Sequence, residues 1–461
     1  MIGLETHVQL NTKTKMFCSC PTRGSDQPNS RTCEVCIGAP GSKPQLNKSV
    51  IDKSLSVALA LGCKINKRMT WDRKSYFYPD MGKNYQITQY DDPIGVGGFL
   101  KVGDKKIRIT RIHMEEDPAR LVHKGGSITS SKYVLVDYNR SGMPLIEIVT
   151  EPDLTSPEQA REYLNQLLSI LEHLGVFEAG DFTIKSDCNI SINGGNRVEV
   201  KNVSGVKAAE QALKYELVRQ KNALKRGKQI LQQTRQFDPV GGTTHVLRSK
   251  ESEMDYGYIV DPDLPWLMID DSWIKRVRDL LPELPAQRMK RFIKDFNLNE
   301  GQARTIVGDK ALADFFEESI NGYAKPERIA GWIDTQLLKC LNYNKQSIRE
   351  SKVTVKSFME LIYLMDEELI TERLGKELIK EFVSTGKSPK QIVKKRGLGI
   401  KSNAELEAIV KQVIKANPDA VSKLKSGDLQ VVNFLIGQVL RATKGQADPN
   451  VVRKLFKSIN K

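Results

Sequence analysis

The chain has 461 residues, in which 71 Lys and Arg outnumber 56 Asp and Glu, giving a formal net charge of +15. This length excludes a small disulfide-stapled scaffold and fits about three domains of ~150 residues each. The positive charge favours an anionic partner such as nucleic acid. No apolar run reaches the ~18 residues of a membrane helix, and we expect a soluble cytoplasmic protein without a signal peptide.

The first predicted element is a strand over residues 1–10. Apolar residues such as Leu4 and Val8 alternate there with polar residues, which include Glu5 and His7. In a strand, side chains two residues apart point to the same face, so the carboxylate and the imidazole lie side by side. This pair could bind a metal, and a solvated polar face is the alternative.

Four of the seven cysteines follow within residues 18–36, as Cys18, Cys20, Cys33 and Cys36. Two close pairs across a turn-rich loop can supply four thiolates to a tetrahedral zinc ion, which would fix a loop too polar to form a core. A closed four-thiolate site is structural, because it leaves no open position for catalysis. A zinc deaminase is excluded, because its Pro-Cys-x-x-Cys signature and preceding His-x-Glu are absent.

Residues 47–61 have helical spacing and end before Gly62, a typical C-terminal stop. Residues 71–85 then combine aromatic, cationic, Pro and Gly residues. This composition suits a shaped loop that stacks on a base and neutralises phosphate. A buried aromatic loop is the alternative.

Two carboxylates occur at positions where the surrounding sequence pattern predicts an apolar residue. The alternation over residues 107–117 slips near Thr110, which predicts a β-bulge and places Glu116 on an otherwise apolar face. Glu147 interrupts residues 144–149, a run typical of a strand buried on both faces. An unpaired buried carboxylate costs several kcal/mol, so Glu147 needs a cation, a metal or a proton. The sequence leaves two possibilities for this counter-charge, a structural Arg or Lys partner and a metal ion.

A capping box at Ser156 opens an amphipathic helix that ends at Gly175. A β-hairpin is then predicted over residues 187–201, because polar and apolar residues alternate on both sides of an Asn-Gly-Gly-Asn turn. One hairpin face gathers Asp187, Asn189, Glu199 and Lys201. An exposed polar face is the alternative to a binding site.

From about residue 275 the strand signals stop, and Pro285 begins a series of helical stretches. The basic, Gly-bearing residues 387–399 indicate a linker. Residues 402–461 then form a small helical unit with ten Lys and Arg against five Asp and Glu. Together these patterns predict an α+β protein with a mixed N-terminal domain followed by helices.

Five stretches of the chain closely resemble the GatB family, the B subunits of the tRNA-dependent amidotransferase GatCAB. They are GLETHVQL (3–10), RKSYFYPD (73–80), HMEED (113–117), PLIEIVTEPD (144–153) and GQVLRATKG (437–445). The likeness runs nearly end to end. It implies a cradle-shaped catalytic domain over 1–275 with a zinc loop at 18–36, a helical domain and linker over 276–400, and an all-α YqeY-like tail over 401–461.

The resemblance also implies a reaction. ATP phosphorylates the side-chain carboxylate of misacylated Asp-tRNA(Asn) or Glu-tRNA(Gln), and ammonia then displaces the phosphate to leave the amide. The GatA subunit produces that ammonia from glutamine, and GatC wraps the two larger subunits. Asp-tRNA, Glu-tRNA or both remain open as the substrate, because both reactions use the same motifs.

Position by position, the resemblance implies roles for individual residues. The Mg²⁺ ligands around the catalytic site would be Glu5, His7, Glu116 and Glu147. Residues near ATP would be Lys74, Tyr76 and Asp187, and the zinc ligands would be Cys18, Cys20, Cys33 and Cys36. The positively charged tail would bind tRNA, with Arg441 and Lys444 as contacts.

The sequence departs from the family pattern at Gly257. The segment DYGYIVDPD (255–263) stands where DYRYFPEPD is expected, so a usual cation is missing. The turn of the 187–201 hairpin is also shorter than in bacterial members and closer to the archaeal GatE, although the large insertion of GatE is absent. These departures leave an alternative open, a non-catalytic, zinc-stabilised tRNA-binding subunit.

Overall fold

The computed structural model describes residues 1–125, 131–178, 184–248, 257–399, 403–425, 430–443, 446–447 and 449–459. The chain forms two compact units, Met1–Gln287 and Arg288–Lys461. Within the described ranges, every strand lies in the first unit, and the second unit is helical. The predicted α+β class is therefore confirmed.

The described strands fall in the N-terminal unit. They are β1 (Ile2–Gln9), β2 (Lys64–Ile65), β3 (Arg68–Met69), β4 (Asp72–Ser75), β5 (Tyr85–Thr88), β6 (Gly95–Val96), β7 (Phe99–Val102), β8 (Lys105–Glu116), β9 (Arg120–Lys124), β10 (Tyr133–Asp137), β11 (Pro144–Thr150), β12 (Ile184–Ile190), β13 (Val198–Ser204), β14 (Gln233–Asp238), β15 (Thr243–Arg248), β16 (Ile259–Val260) and β17 (Leu267–Met268).

The described helices occur in both units. They are α1 (Glu34–Ile37), α2 (Lys48–Ala60), α3 (Pro157–His173), α4 (Val206–Lys225), α5 (Asp271–Asp279), α6 (Pro285–Phe296), α7 (Glu300–Val307), α8 (Lys310–Ile320), α9 (Pro326–Trp332), α10 (Leu338–Tyr343), α11 (Val355–Asp366), α12 (Glu372–Thr385), α13 (Pro389–Arg396), α14 (Asn403–Ala416), α15 (Pro418–Lys425), α16 (Gln430–Ala442) and α17 (Pro449–Ile459). A π-helical turn at Ile333–Leu337 joins α9 to α10. Among these described helices, none has both the length and the apolar character that a bilayer crossing requires.

The opening strand lies in the middle of a large sheet. The strand order is β15-β14-β13-β12-β1-β11-β8-β6-β2, and β7 also pairs with β8. All of these neighbours are antiparallel except the parallel pair β13 and β14. The predicted hairpin over residues 187–201 is confirmed, because β12 and β13 pair in this way.

One face of this sheet is apolar and packs against helices. Leu4 and Val8 of β1 and Cys188 of β12 are fully buried, and they share a core with α3 and α4. Ser156 caps α3 by accepting a hydrogen bond from the Gln159 amide, which confirms the predicted start of that helix. Because side chains alternate along each strand, the polar residues of the same strands point to the opposite face.

The predicted bulge in β8 is also confirmed. Along the β8 and β11 pair, Val149 lies opposite Arg111 but Thr150 lies opposite Ile109, so Thr110 is the extra residue. A bulge changes the local alternation and twist of a strand. It therefore decides which side chains of the last part of β8 reach the polar face.

The second unit contains two separate apolar cores, one built from helices between residues 292 and 392 and one from α14 to α17. The linker prediction is wrong for its central part. Residues 389–396 form α13, which is capped by Ser388 and buries Ile392 in the first of these cores. The Gly397 backbone has a φ of +61°, typical of a helix C-terminal cap. The boundaries at residues 275 and 400 stay predictions.

A buried ion-pair network joins α4 to β14 and to the edge strand β15 of the sheet. Glu216 is fully buried and lies 2.8 Å from the guanidinium of Arg219 and 3.0 Å from that of Arg235. The Thr244 hydroxyl also donates a hydrogen bond to Glu216. Burial alone raises the pKa of Glu216, but Arg219 and Thr244 hold it below its usual value.

We expect Glu216→Gln to lower the free energy of unfolding of the N-terminal unit by roughly 3 kcal/mol or more, because the buried guanidinium of Arg235 loses its counter-ion. The matched control is Glu300→Gln, which breaks an exposed pair with Arg304 and should cost less than about 1 kcal/mol. Denaturant unfolding followed by circular dichroism measures both. Equal losses in the two variants would contradict the expectation.

Candidate metal centres

The polar face of the sheet gathers charged and polar side chains from five neighbouring strands. They are His113 and Glu115 of β8, Glu147 of β11, Glu5 and His7 of β1, Asp187 and Asn189 of β12, and Glu199 and Lys201 of β13. Six of these residues form two sets of three, and the potential metal-ligand atoms of each set lie within 4.8 Å of one another. We call His7, Glu115 and Glu147 the histidine group and Glu5, Asp187 and Glu199 the carboxylate group.

The histidine group follows from strand register. His7 lies opposite Glu147 across β1 and β11, and Glu147 lies opposite His113 across β11 and β8. The His7 Nε2 atom is 3.5 Å from Glu147 Oε2 and 3.6 Å from Glu115 Oε1. The His113 Nε2 atom lies 2.9 Å from Glu147 Oε2. Two imidazoles therefore flank the carboxylate for which the sequence left an Arg, a Lys or a metal open.

The electrostatics of the histidine group follow from these contacts. Burial raises the pKa of Glu147, but His113 and His7 hold it well below its usual range. Burial lowers the pKa of His7, but Glu147 and Glu115 more than offset this and raise it to about 10. Burial also raises the pKa of Glu115. The nitrogen and oxygen atoms of this group are therefore suited to bind a cation, and its two carboxylates require positive charge close by.

The donors of the histidine group fit a divalent cation. Two carboxylates and one imidazole are ligands for Mg²⁺ or Mn²⁺, and three protein ligands leave positions open for water or phosphate. An imidazole must be neutral to bind a metal. A cation bound here would therefore replace the proton on His7.

The structure places Glu116 away from the histidine group. Glu116 accepts hydrogen bonds from the Lys83 ammonium and from the Ile87 amide, the latter at 3.0 Å. Its neighbour Glu115 reaches the histidine group instead. The sequence carried a signal for this, because His113 and Glu115 repeat the two-residue spacing of Glu5 and His7.

The carboxylate group lies on the other side of β1. Glu5 and Asp187 are direct partners across β1 and β12, so Glu5 joins Asp187 rather than the partners of His7. The Asn189 amide donates a hydrogen bond of 2.9 Å to Glu5. The Lys201 ammonium lies 3.1 Å from Asp187 Oδ2 and 2.9 Å from Glu199 Oε1. Burial raises the pKa of Glu5, and the charges of Glu147 and Asp187 raise it further.

Of the three residues expected near ATP, Lys74 and Tyr76 lie on or beside β4, whereas Asp187 lies on β12 in the carboxylate group. Lys74 is half-buried on that strand, and its positive charge opposes the rise in the pKa of Glu115. Tyr76 follows β4, where its backbone amide donates to the Asn84 carbonyl at 3.1 Å. Lys74 is therefore within electrostatic reach of the histidine group.

Within the segment that contains Gly257, the described residues 257–263 run beside β4. Arg73 forms ion pairs with Asp261 at 2.8 Å and with Asp263 at 3.1 Å. Tyr258 stacks on Tyr90 with ring centroids 4.1 Å apart. Gly257 has a φ of +50°, a conformation that an Arg adopts only at a cost. Arg73 thus supplies a cation to this segment.

The four cysteines of the zinc loop come together as predicted. Their sulfur atoms lie within 4.8 Å of one another, and a tetrahedron with Zn–S bonds of about 2.3 Å has edges of about 3.8 Å. Hydrogen bonding with Cys18 lowers the pKa of Cys36 to about 5. The Lys15 ammonium lies 3.5 Å from Cys36 Sγ, and the Cys33 amide donates to the same sulfur at 3.1 Å. These contacts suit thiolates that bind zinc.

The zinc loop is attached to the chain that leads into β11. Lys15 is fully buried, and its ammonium donates to the carbonyl oxygens of Arg31 and Tyr138 at 2.8 and 3.2 Å. The Ser141 hydroxyl donates to the Cys36 carbonyl at 2.6 Å. The loop therefore braces the strand that carries Glu147.

The expected tRNA contacts lie in the second unit. Arg441 is exposed near the end of α16. Lys444 lies outside the described residues. Their role in tRNA binding stays a prediction.

Comparison with known proteins gives matches over both units. Residues 1–275 match the family described as the GatB/GatE catalytic domain, and residues 314–459 match the family described as the GatB domain. The B subunit of the aspartyl/glutamyl-tRNA(Asn/Gln) amidotransferase from Saccharolobus solfataricus is 46% identical over 465 residues, which cover 99% of this chain and 98% of that protein. Proteins of the same name from Thermotoga petrophila and Carboxydothermus hydrogenoformans are 44% and 42% identical, with 100% and 99% of this chain and 98% of each relative covered.

We expect Cys36→Ser to lose bound zinc and to destabilise the loop, because a structural zinc site contributes directly to folding. Elemental analysis of protein expressed with zinc available measures the metal, and Cys63→Ser is the control outside the loop. Native protein without zinc would show that the four thiols do not form a zinc site.

We expect Glu115→Gln to weaken Mn²⁺ binding by about tenfold or more, because an amide lacks the charge that holds a cation. Glu116→Gln should weaken it far less, since the Glu116 side chain contacts Lys83 and Ile87. Titration calorimetry with Mn²⁺ compares the two variants. An equal or larger loss in Glu116→Gln would reverse the assignment.

Proposed function

The chain belongs to the GatB/GatE family, and from this premise we propose that it phosphorylates and then amidates the side-chain carboxylate of Asp-tRNA(Asn), Glu-tRNA(Gln) or both. It functions as the B subunit of a tRNA-dependent amidotransferase, a ligase-type enzyme that works within a complex. The observation that carries the proposal is the histidine group, which lies in the unit that matches the family's catalytic domain.

The proposed reaction has two steps. In the first, an oxygen of the substrate carboxylate attacks the γ-phosphorus of ATP, ADP leaves, and an acyl phosphate forms. In the second, ammonia attacks the acyl carbon, inorganic phosphate leaves, and the nitrogen loses a proton to give the amide. In phosphoryl transfer of this kind the protein forms no covalent bond to the transferred group. Catalysis therefore consists mainly of positioning the reactants and neutralising their charge.

The residues of the polar face would divide this work. A bound Mg²⁺ would neutralise phosphate oxygens and reduce their repulsion of the attacking carboxylate. His7, Glu115 and Glu147 would hold that ion, and His113 would fix the Glu147 carboxylate through its 2.9 Å contact. Lys74 would add positive charge beside Glu115, where the negatively charged ATP has to approach.

The proposed partners follow from the reaction. Ammonia has to be supplied, and we assign this to a GatA glutaminase subunit, with GatC completing the complex. The four clustered thiols would hold a structural Zn²⁺, and such free cysteines suit a reducing compartment such as the cytoplasm.

The alternative is a non-catalytic, zinc-stabilised tRNA-binding subunit. Gly257 suggests this alternative, because it stands where the family has an Arg. Two observations favour catalysis. Arg73 supplies a cation to the segment that contains Gly257, and both carboxylates of the histidine group are buried beside imidazoles. Hydrolysis of ATP that depends on misacylated tRNA separates the two functions.

We expect Glu147→Gln and His7→Ala to abolish tRNA-dependent release of phosphate from ATP, because each removes a ligand of the proposed Mg²⁺ site. Glutamine hydrolysis by the partner subunit should continue, since that chemistry takes place on another chain. Phosphate release and glutaminase activity of the complex are measured in parallel. Near-native transamidation by both variants with Mg²⁺ limiting would show that these residues do not hold the metal.

We expect truncation before residue 402 to raise the KM for charged tRNA much more than the KM for ATP or glutamine, because the proposed chemistry resides in the N-terminal unit. Arg441→Ala and Lys444→Ala should act in the same direction more weakly and flatten the salt dependence. Steady-state transamidation against tRNA concentration at two ionic strengths measures this. An unchanged KM after truncation would show that the tail does not bind substrate.

A further inference from the structure

Lys15 is a fully buried lysine beside the zinc loop, and its ammonium makes three contacts. It donates to the carbonyl oxygens of Arg31 and Tyr138 at 2.8 and 3.2 Å, and to Cys36 Sγ at 3.5 Å. A lysine ammonium has three N–H donors, so these contacts use all of them. Among the described residues that this ammonium contacts, Cys36 is the only one whose contacting atom can carry a negative charge.

The charge of Lys15 matches a metal-bound form of the four cysteines. A buried ammonium needs negative charge beside it, because water no longer solvates it. Four neutral thiols do not supply that charge. Four thiolates around a Zn²⁺ ion do, since four negative charges and two positive charges leave the centre with a net negative charge. The Cys33 amide also donates to Cys36 Sγ at 3.1 Å, so two donors converge on one sulfur.

The contacts of Lys15 also form a closed ring with the turn that leads into β11. The Tyr138 carbonyl accepts from Lys15 and, at 3.1 Å, from the Ser141 amide, which closes the turn. The Ser141 hydroxyl then donates to the Cys36 carbonyl at 2.6 Å. The ring thus runs from Cys36 through Lys15, Tyr138 and Ser141 and back to Cys36.

The residue after this ring packs tightly against the zinc loop. Gly142 has a φ of +79°, and a Cβ atom added to it would lie 3.4 Å from Cys36 Cβ and 3.5 Å from Lys15 Cδ. Its carbonyl accepts from the Met16 amide at 2.8 Å, and its amide donates to the Asp117 carbonyl at 2.9 Å. The turn is therefore held between the zinc loop and the end of β8.

We propose that the Lys15 ammonium is the counter-charge of the zinc–thiolate centre, and that through it zinc occupancy holds residues 138–143, the turn before β11. Loss of zinc removes the negative charge that balances Lys15 and so weakens the ring. Groups that contact metal ligands typically change metal affinity by about 10–100-fold. The inference rests on the zinc site assigned to the four cysteines, and not on the proposed phosphorylation and amidation.

The first test is the zinc affinity of the full-length chain in its complex, measured by competition with a chromogenic chelator. Lys15→Met keeps the length of the side chain and removes its charge, so zinc should bind about tenfold more weakly or worse. The matched control is Lys13→Met, which removes an exposed lysine of the same segment and should change the affinity by less than about twofold. An unchanged affinity in Lys15→Met, or an equal loss in Lys13→Met, would overturn the proposal.

A spectrum separates the counter-charge from a change in the ligands. With Co²⁺ in place of zinc, Lys15→Met should keep the wild-type absorption bands of tetrahedral thiolate coordination, because all four sulfur ligands remain. Cys36→Ser, which removes a ligand, should change these bands. Altered bands in Lys15→Met would mean that Lys15 acts by shaping the ligand set, which contradicts a role as counter-charge.

The second test follows amide hydrogen exchange and needs no lysine variant. Removal of zinc from the wild-type chain should speed exchange within residues 138–143 by about tenfold or more, while α3 stays protected. Ser141→Ala breaks the ring without changing its charge. It should speed the same exchange in the zinc-loaded chain but weaken zinc binding by less than about threefold.

Two results of the second test would overturn the proposal. They are unchanged exchange in residues 138–143 after zinc removal, and a loss of zinc affinity in Ser141→Ala as large as that in Lys15→Met. Native protein without zinc would instead refute the zinc site itself. Because no measurement uses tRNA or ATP, failure of the proposed function remains distinguishable.

Discussion

Carboxylates buried on a sheet have to be balanced by positive charge, and the N-terminal unit is built around this constraint. An isolated buried carboxylate costs several kcal/mol, whereas a paired one is tolerated. The unit meets the requirement in two ways on its polar face, with imidazoles around Glu147 and with the ammonium of Lys201 beside Asp187. Away from that face, Glu216 is balanced by arginines. A face that carries the carboxylates of both groups is suited to hold cations beside the phosphates of a nucleotide.

The central position of β1 divides these charges between two groups. Glu5 and His7 are two residues apart and point to the same face, yet they have different partners. His7 lies opposite Glu147 of β11, and Glu5 lies opposite Asp187 of β12. A strand with neighbours on both sides can therefore contribute to two adjacent sites. An edge strand has a neighbour on one side only.

The zinc loop lies far from β11 in sequence but braces its start. Lys15 and Ser141 link the loop that carries Cys36 to the residues that precede β11. Because Glu147 is in the middle of β11, the position of its carboxylate depends on how that strand is anchored. A closed metal site at these cysteines would thus support the polar face of the sheet without contributing a ligand to it.

The sequence by itself determined the local elements, because alternation, caps and turns are properties of neighbouring residues. It predicted β1, the bulge at Thr110, the start of α3 and the hairpin that brings Asp187 and Lys201 together. It also identified Glu147 as a carboxylate that needs a counter-charge, and the four cysteines as one cluster. Only the tertiary structure showed that Glu115, rather than Glu116, reaches His7, because this depends on strand order and on register between strands that are distant in sequence. The imidazoles that balance Glu147 were likewise decided by contacts between residues distant in sequence, which no local pattern encodes. The helix within the predicted linker does carry local signals, a cap at Ser388 and Gly397 at its end, and only the burial of Ile392 in a core depended on the tertiary structure.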